Sequence, residues 1–274
     1  MSTWDDGDRP VPAPVTLAGW ARVLARGGPI CVLLLISFPA LLILRMPERL
    51  VFGSRRPVTP WITQFVCITT LWIVGLKRRM NGLPLPRGGA MVANHAAWMD
   101  IFVLNAAARV TFVSKAEVAR WPGIGWLARG TGTLFIRRAR AEAARHQDML
   151  EKRMQAGDRL VFFPEGTSTD GQRVLPLKST LFAAFFSDGL KHRIKVQPVS
   201  IRYEAPAGQD PRFYAWWGDM DFGPSVLKIL AAPRQGAVRV VYHPALDVTG
   251  FADRKALAAA CEAAMRAGFS AAEQ

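Results

Sequence analysis

The sequence predicts an α/β protein in which a largely parallel or mixed central sheet is flanked by helices and preceded by two apolar helices. From residue 83 onward, short apolar runs of strand length alternate with longer stretches of helical pattern, as is typical of α/β layers. Ahead of residue 83, two long uncharged runs are separated by an arginine-rich segment. We therefore expect a polar, mobile tail at residues 1–16, a membrane-associated helix pair at 17–82, and an α/β domain with a C-terminal helix at 83–274.

The two apolar runs, residues 27–44 and 57–76, have about the 20-residue length that a bilayer-spanning helix needs. Basic residues flank both runs on every side, whereas a hairpin that crosses a bilayer usually carries its positive charge on one side. Charge on every flank favours helices that insert into one leaflet while their ends stay at an anionic surface. A spanning hairpin is the alternative. Burial in a soluble core fits less well, because neither run has a polar face.

The chain carries a formal net charge of +14, and half of its 274 residues are hydrophobic. A large basic excess favours anionic partners, namely nucleic acid, an anionic membrane leaflet, a phosphorylated substrate or an acidic protein. No helix-turn-helix or zinc-finger pattern accompanies the charge, and two apolar runs are untypical of nucleic-acid binders. We therefore expect no nucleic-acid partner.

Each element of the α/β part is predicted from its length and its pattern of apolar residues. The predicted strands are residues 90–94, 110–114, 133–137, 159–164, 195–203 and 238–244. The predicted helices are residues 100–108, 116–128, 141–157 and 177–189, followed by the alanine-rich stretch 251–270.

Polar motifs stand at the ends of three predicted strands. His95 follows the first strand, Arg137 closes the third, and Glu165 follows the fourth. Ligand sites in α/β sheets gather at the carboxyl ends of strands. We therefore expect these three side chains at one edge of the sheet.

The stretch NHAAWMD, residues 94–100, places a histidine and an aspartate five positions apart. On an unbroken helix, five residues turn the chain through about 500°, which would separate the two side chains by about 140°. His95 and Asp100 can meet only if the chain bends between them, with His95 in a turn and Asp100 entering a helix. A histidine that merely caps a turn beside a helix-starting aspartate is the other interpretation.

Four sequence blocks together resemble those of the glycerolipid (lysophospholipid) acyltransferase family, which includes bacterial 1-acylglycerol-3-phosphate acyltransferases. The blocks are NHAAWMD at residues 94–100, GTLFIRR at 132–138, FPEGTST at 163–169 and VQPVSI at 196–201. The first block alone is a weak signal, but four blocks in order across residues 90–201 are specific. The resemblance implies the glycerolipid acyltransferase fold, and the two apolar runs resemble the N-terminal membrane-binding helix pair of bacterial members.

The resemblance implies transfer of a fatty acyl group from a thioester to the free hydroxyl of a lysolipid, with His95 as general base and Asp100 orienting its ring. An alcohol is a poor nucleophile, and a base that titrates near neutrality removes its proton as it attacks the thioester carbonyl. A carboxylate on the other ring nitrogen fixes the tautomer and stabilises the imidazolium.

The expected substrate-binding residues are Lys115, Arg137, Glu165, Gly166 and Thr167. Arg137, joined by Lys115, is expected to bind the acceptor's phosphate or head group, since a guanidinium fork matches such oxygens. Gly166 would let the backbone approach the ligand closely, and Glu165 would hold a glycerol hydroxyl or anchor the basic side chains. For Glu165, an ordinary turn with a structurally paired carboxylate is the alternative.

The acceptor expected first is 1-acylglycerol-3-phosphate, which would give phosphatidic acid. The sequence departs from the family at Ser168, where many members have arginine, so one charge toward a phosphate is missing. Residues 166–179 resemble a subgroup that includes lyso-ornithine lipid acyltransferases, and lyso-ornithine lipid is therefore the alternative acceptor. A non-catalytic basic membrane adaptor is a third interpretation, against which His95 and Asp100 count.

The donor expected from the resemblance is an acyl carrier protein or coenzyme A thioester, with no other cofactor. No metal site is expected, because the four histidines lack His-x3-His spacing and cysteine neighbours. The three cysteines form no Cys-x-x-Cys pair and are interpreted as buried thiols. We expect the enzyme at the cytoplasmic face of a bacterial inner membrane, where its basic surface meets anionic lipid and, as donor, an acidic carrier protein.

Overall fold

A mixed sheet forms the centre of the structure and carries the sequence blocks. The computed structural model of the protein describes residues 4–5, 7–10, 14–137 and 142–270. Within that part of the chain the strands are β1 Lys77–Asn81, β2 Gly89–Ala93, β3 Thr111–Lys115, β4 Leu134–Ile136, β5 Arg159–Phe162, β6 Lys195–Glu204, β7 Ala237–Tyr242 and β8 Leu246–Asp247. Their spatial order is β1-β7-β6-β2-β5-β3-β4, with β8 paired to β6. The α/β class predicted from the sequence is confirmed.

The strands β6, β2, β5, β3 and β4 are neighbours in this order and all run parallel. β6 pairs antiparallel with β7 and β8, and β1 is parallel to β7. Because parallel strands end at the same edge, the segments that follow β2, β3, β4 and β5 all leave the sheet on one side. This side carries the segments in which the sequence predicted the functional residues.

The described residues contain seven α-helices. They are α1 Leu17–Phe52, α2 Thr59–Val74, α3 Asp100–Ala107, α4 Ile124–Thr131, α5 Ala143–Gln155, α6 Phe222–Ala231 and α7 Arg254–Ser270. The predicted helix at residues 116–128 divides into a 3₁₀ helix, Ala116–Arg120, and α4, since Pro122 and a left-handed Gly123 lie between them. The predicted α-helix at residues 177–189 is the 3₁₀ helix Ser179–Phe186.

The central strand β2 is buried on both of its faces. Met91 and Ala93 pack into one hydrophobic cluster, whereas Ala90 and Val92 pack into a second cluster. Successive side chains of a strand point to opposite sides, so one strand contributes to both clusters. The residue that follows β2, Asn94, therefore starts from a firmly held position.

α1 is one continuous helix of 36 residues, longer than the predicted apolar run at residues 27–44, although it contains three prolines. It is long and apolar enough to cross a membrane, with a mean hydropathy of 2.4 and only 6% of residues buried in its most apolar window. Several of its large apolar side chains are exposed, including Val32, Leu35, Ile36 and Ile43. Cys31, which we interpreted as buried, is exposed on this helix, whereas Cys67 and Cys261 are buried.

Two arginines near the start of α1 bind the carboxyl end of α6. The Arg22 Nε donates to Ala231 O at 2.7 Å, and the Arg26 Nη1 donates to Leu230 O at 2.8 Å and Ala232 O at 2.6 Å. Cations at a helix C terminus satisfy carbonyls that have no partner within the helix. These bonds attach the apolar helix α1 to the α/β part of the protein.

The segment KRR, residues 77–79, was predicted as the basic flank of an apolar run and instead opens strand β1. All five side chains of β1 are exposed and only Met80 is apolar, so the strand lacks the apolar pattern by which sequences identify strands. Charged side chains are common on edge strands, because they discourage pairing with another chain. Helix α6 and the two-residue strand β8 were not predicted from the sequence.

Candidate active site

The site begins at Asn94, the first residue after β2. The Asn94 Nδ2 donates to Ile201 O at 2.8 Å, and Ile201 N donates to Asn94 Oδ1 at 2.7 Å. Asn94 is fully buried, and these two bonds tie the end of β2 to the backbone of β6. The chain therefore leaves β2 in a fixed direction toward His95.

His95 lies in the turn after β2, and Asp100 is the first residue of α3. With its proton on Nδ1, the imidazole donates to Asp100 Oδ2 across 2.7 Å. The same oxygen accepts Ala96 N at 2.9 Å and Ala97 N at 3.1 Å, which closes the turn between the two residues. The bend predicted from the five-residue spacing is confirmed.

One face of the His95 imidazole is covered by an aromatic ring. The His95 and Phe163 rings stack with centroids 4.2 Å apart and planes inclined by 18°. The His95 side chain remains 21% exposed, and its Nε2 has no hydrogen-bond partner within the part of the chain that the structure describes. Nε2 is thus the nitrogen available to a substrate.

Glu165 lies beneath the His95 turn, with the residue only 2% exposed. Its Oε2 accepts His95 N at 2.8 Å, and its Oε1 accepts Leu175 N at 2.8 Å. Burial raises the pKa of Glu165 to about 8, and the nearby Asp100 carboxylate adds to that rise while the two backbone donors oppose it. The partners of Glu165 are backbone groups that hold loops together. Its contact with substrate stays a prediction.

The residues after Glu165 wrap around the His95 turn. Gly166 has a φ of +73°, which suits glycine, and its N–H donates to Phe163 O at 3.0 Å in a tight turn. The Thr167 hydroxyl donates to Ser168 O at 3.2 Å, and Thr169 N donates to His95 O at 2.9 Å. The first and third sequence blocks therefore form one continuous loop structure.

Lys115 and Arg137 reach the same edge of the sheet but lie farther from His95. Lys115 ends β3 and Arg137 follows β4, which are respectively two and three strands away from β2. With about 4.8 Å between neighbouring strands, Arg137 starts roughly 14 Å from the end of β2. Its side chain is 63% exposed, and its Nη1 lies 3.6 Å from Glu142 Oε1. The predicted common edge of His95, Arg137 and Glu165 is confirmed, whereas substrate binding by Arg137 and Lys115 stays a prediction.

Two features of the site were not predicted from the sequence. The Tyr203 hydroxyl donates to Asp100 Oδ1 at 2.7 Å across a separation of 103 residues. Trp4 lies beside the third block, where its backbone N–H donates to Thr167 Oγ1 at 3.4 Å and its ring faces the Arg173 guanidinium at 5.2 Å. Neither contact has a local sequence signal, because the partners are far apart in the chain. The mobility of residues 1–16 and the three-part division of the chain stay predictions.

A buried aspartate also holds Arg173 next to this loop. Asp170 is almost fully buried, and its Oδ2 accepts Arg173 Nη2 at 2.7 Å. The Arg173 side chain is 53% exposed, so its guanidinium is both anchored and accessible. The loop after Glu165 thus presents one cation whose charge is partly balanced by Asp170.

Chemically, the arrangement suits general base catalysis. The Nδ1 of the His95 imidazole is fixed by the buried Asp100 carboxylate. Its Nε2 has no hydrogen-bond partner in the described residues, so Nε2 can accept a proton. The carboxylate would stabilise the positive charge that the ring then carries.

The chain is similar to several known acyltransferases. A protein-family model described as acyltransferase matches residues 79–202. A lyso-ornithine lipid O-acyltransferase of Rhodobacter capsulatus is 54% identical, over 96% of this chain and 95% of that protein. A 1-acyl-sn-glycerol-3-phosphate acyltransferase of Neisseria meningitidis is 30% identical, over 71% of this chain and 74% of that protein. The crystal structure of PlsC, the 1-acyl-sn-glycerophosphate acyltransferase of Thermotoga maritima, aligns with a TM-score of 0.63 at 20% identity, over 93% of this chain and 96% of that one.

Proposed function

The chain belongs to the acyltransferase family, and from that membership we propose that it is a lyso-ornithine lipid O-acyltransferase. The proposed reaction moves a fatty acyl group from a thioester to the free hydroxyl of lyso-ornithine lipid. The observation that carries the proposal is the His95–Asp100 pair, held at 2.7 Å at the edge of the sheet where β2 and β5 end.

In the proposed mechanism, the acceptor hydroxyl gives its proton to His95 Nε2 as its oxygen attacks the thioester carbonyl. Asp100 stabilises the resulting imidazolium through the Nδ1–H bond. The tetrahedral intermediate then collapses to the new ester, and the departing thiolate takes the proton back from Nε2. The histidine finishes neutral, and no acyl group is attached to the protein at any step.

Two observations support lyso-ornithine lipid as the acceptor. The relative that covers 96% of this chain at 54% identity bears that name, and proteins so named from Brucella abortus and Rhizobium meliloti are 40% and 37% identical. Ser168 stands at a position where many members of the resembling family have arginine, so a hydroxyl replaces a charge that would bind phosphate. The exposed Arg173 offers a fork for the carboxylate of an amino-acid head group.

A second candidate acceptor is 1-acylglycerol-3-phosphate, which the sequence analysis placed first. The Neisseria meningitidis relative of that name supports it at 30% identity. Lys115 and Arg137 at the same sheet edge would be its phosphate-binding residues. The higher identity of the lyso-ornithine lipid relatives and the missing arginine at Ser168 lead us to place this acceptor second.

The proposal includes a membrane location and a thioester donor. The exposed apolar surface of α1 and the net charge of +14 support attachment to an anionic leaflet, at the cytoplasmic face of a bacterial inner membrane. The length of α1 is compatible with two arrangements: α1 spans the bilayer, or the helix pair inserts into one leaflet. The donor is acyl carrier protein or coenzyme A thioester, with no metal or other cofactor.

The test is an assay of the purified protein with one acyl chain, supplied in turn as its acyl carrier protein and its coenzyme A thioester. Lyso-ornithine lipid and 1-acylglycerol-3-phosphate are offered in parallel, in the presence of EDTA. We expect ornithine lipid to form with the higher kcat/KM, and the His95→Ala variant to form neither product. Preferential formation of phosphatidic acid would overturn the acceptor assignment. No product from either acceptor, with either donor type, would overturn the catalytic function and favour the membrane adaptor.

A further inference from the structure

The hydroxyl of Tyr203 touches the carboxylate that orients His95. We propose that Tyr203 is a positioning residue for acyl transfer, which fixes Asp100 through Oδ1 and thereby fixes the imidazole of His95. This inference rests on the proposed function, because it assigns a role within the same reaction. Neither the five-residue His–Asp spacing nor any sequence block contains Tyr203.

The two oxygens of Asp100 have different partners. Oδ2 accepts three hydrogen bonds, from His95 Nδ1 and from the N–H groups of Ala96 and Ala97. Oδ1 accepts one, from the Tyr203 hydroxyl at 2.7 Å, and no other partner for it occurs among residues 4–5, 7–10, 14–137 and 142–270. Asp100 is fully buried, so its Oδ1 is out of contact with bulk water. A buried carboxylate oxygen without a donor is strongly unfavourable.

Tyr203 is itself held in place. It lies on β6, is 6% exposed, and its ring packs against Tyr214 with centroids 5.3 Å apart. Tyr214 is anchored in turn, because its hydroxyl donates to Gln235 Oε1 at 2.8 Å and accepts Gly236 N at 2.7 Å. The phenol of Tyr203 therefore approaches Asp100 from a rigid support.

The hydroxyl of Tyr203 is also suited to act as a donor. Burial raises the pKa of Tyr203 well above its ordinary value, and the neighbouring Asp100 charge raises it further. The phenol consequently keeps its proton, which it can share with Oδ1.

β6 thus braces the catalytic turn at both ends. The backbone of Ile201 binds Asn94 at the start of the turn, and Tyr203, two residues later on the same strand, binds Asp100 at its end. A base must be aligned closely with the reacting hydroxyl, and small displacements of the base reduce the rate considerably. Strand β6 therefore fixes the position of His95, although β6 lies outside the sequence block that contains His95.

The test uses Tyr203→Phe, which removes the hydroxyl and keeps the ring. We expect kcat to fall about tenfold while the KM for the acceptor changes less than about twofold, as for loss of one hydrogen bond to a charged group. Tyr242→Phe is the matched control, because it removes a buried hydroxyl without a hydrogen-bond partner in the described residues. We expect its kcat per folded protein to be unchanged.

A double-variant cycle with Asp100→Asn separates positioning from a general effect on the fold. If Tyr203 acts through the Asp100 carboxylate, adding Tyr203→Phe to Asp100→Asn should lower kcat by less than about twofold. Equal losses from Tyr203→Phe in both backgrounds would overturn the proposal, as would an unchanged kcat in the single variant. Unfolding midpoints followed by tryptophan fluorescence give the folded fraction used to normalise kcat. A wild-type protein that transfers no acyl group would contradict the proposed function instead.

Discussion

The side-chain amide of Asn94 forms two hydrogen bonds with the backbone of Ile201, a residue 107 positions later in the chain. This pair joins the strand that precedes His95 to the strand that carries Tyr203. Asn94 is fully buried, so both hydrogen bonds are protected from water. The position of the His95 turn therefore depends on a contact between two distant segments.

Asn94→Ala should destabilise the protein by about 2 kcal/mol, because it leaves the Ile201 N–H and carbonyl without their partner. Urea unfolding measures this change. Asn105→Ala is the matched control, since Asn105 is also buried but donates a single bond, to Ile101 O within α3. Equal destabilisation by the two substitutions would show that the two Asn94–Ile201 bonds contribute no more to stability than the single Asn105 bond.

His95→Ala should lower kcat by about 10²–10⁴-fold, the range for removal of a general base. Folding and membrane binding should be unchanged, because His95 lies in a turn and its backbone N–H bond to Glu165 remains. The exposed His192, changed to alanine, is the control for loss of an imidazole elsewhere. Near-normal turnover by His95→Ala, measured as product formed per minute, would exclude the mechanism.

Glu165 should make stability depend on pH. Burial raises its folded-state pKa from 4.5 to about 8, so between these values the folded protein keeps a proton that the unfolded chain has lost. The free energy of unfolding should therefore fall as pH rises from about 4.5 to about 8, and change little from this cause outside that window.

Glu165→Gln provides the comparison, because glutamine does not titrate. Its free energy of unfolding will start lower, since one of the two backbone donors loses its acceptor. Denaturant unfolding across that pH window should show a shallower decline for the variant than for the wild type. Parallel curves would mean that the pKa of Glu165 is not raised by burial.

Ser168→Arg should shift acceptor preference toward a phosphate. A guanidinium placed in the loop after Glu165 can form paired bonds with phosphate oxygens, which a serine hydroxyl cannot. We expect the kcat/KM for 1-acylglycerol-3-phosphate, relative to lyso-ornithine lipid, to rise about tenfold or more. Ser270→Arg adds the same charge at the exposed end of α7 and should leave the ratio unchanged. A similar rise in both variants would point to net charge as the cause.

Cys31 should report whether α1 enters the bilayer. It is exposed on the protein surface, in the apolar part of α1, whereas Cys67 and Cys261 are buried. In vesicles of anionic lipid, a membrane-impermeant maleimide should fail to label Cys31, because lipid covers it. The Cys31 thiol should become labelled when the vesicles are dissolved in mild detergent and a permeant maleimide is used. Rapid labelling by the impermeant reagent in vesicles would place this face of α1 in water.

The sequence by itself determined the α/β class and the bend that brings His95 and Asp100 together. The alternation of apolar runs with helical stretches follows from burial of each element, and burial leaves a periodic pattern in the local sequence. The five-residue spacing of His95 and Asp100 required a bend followed by a helix start, and the structure has both. The order of blocks after successive parallel strands also sufficed to predict one shared edge for His95, Arg137 and Glu165.

Only the tertiary structure decided how that edge is assembled. Strand β1 begins with three charged residues and is exposed along its length, so no apolar pattern predicts it, and only its pairing with β7 shows that it is a strand. Tyr203 and Glu165 meet the His95 turn from 103 and 70 residues away in the sequence. Such contacts depend on where the sheet brings distant segments together, and the local preferences of a sequence for helix or strand do not predict that arrangement.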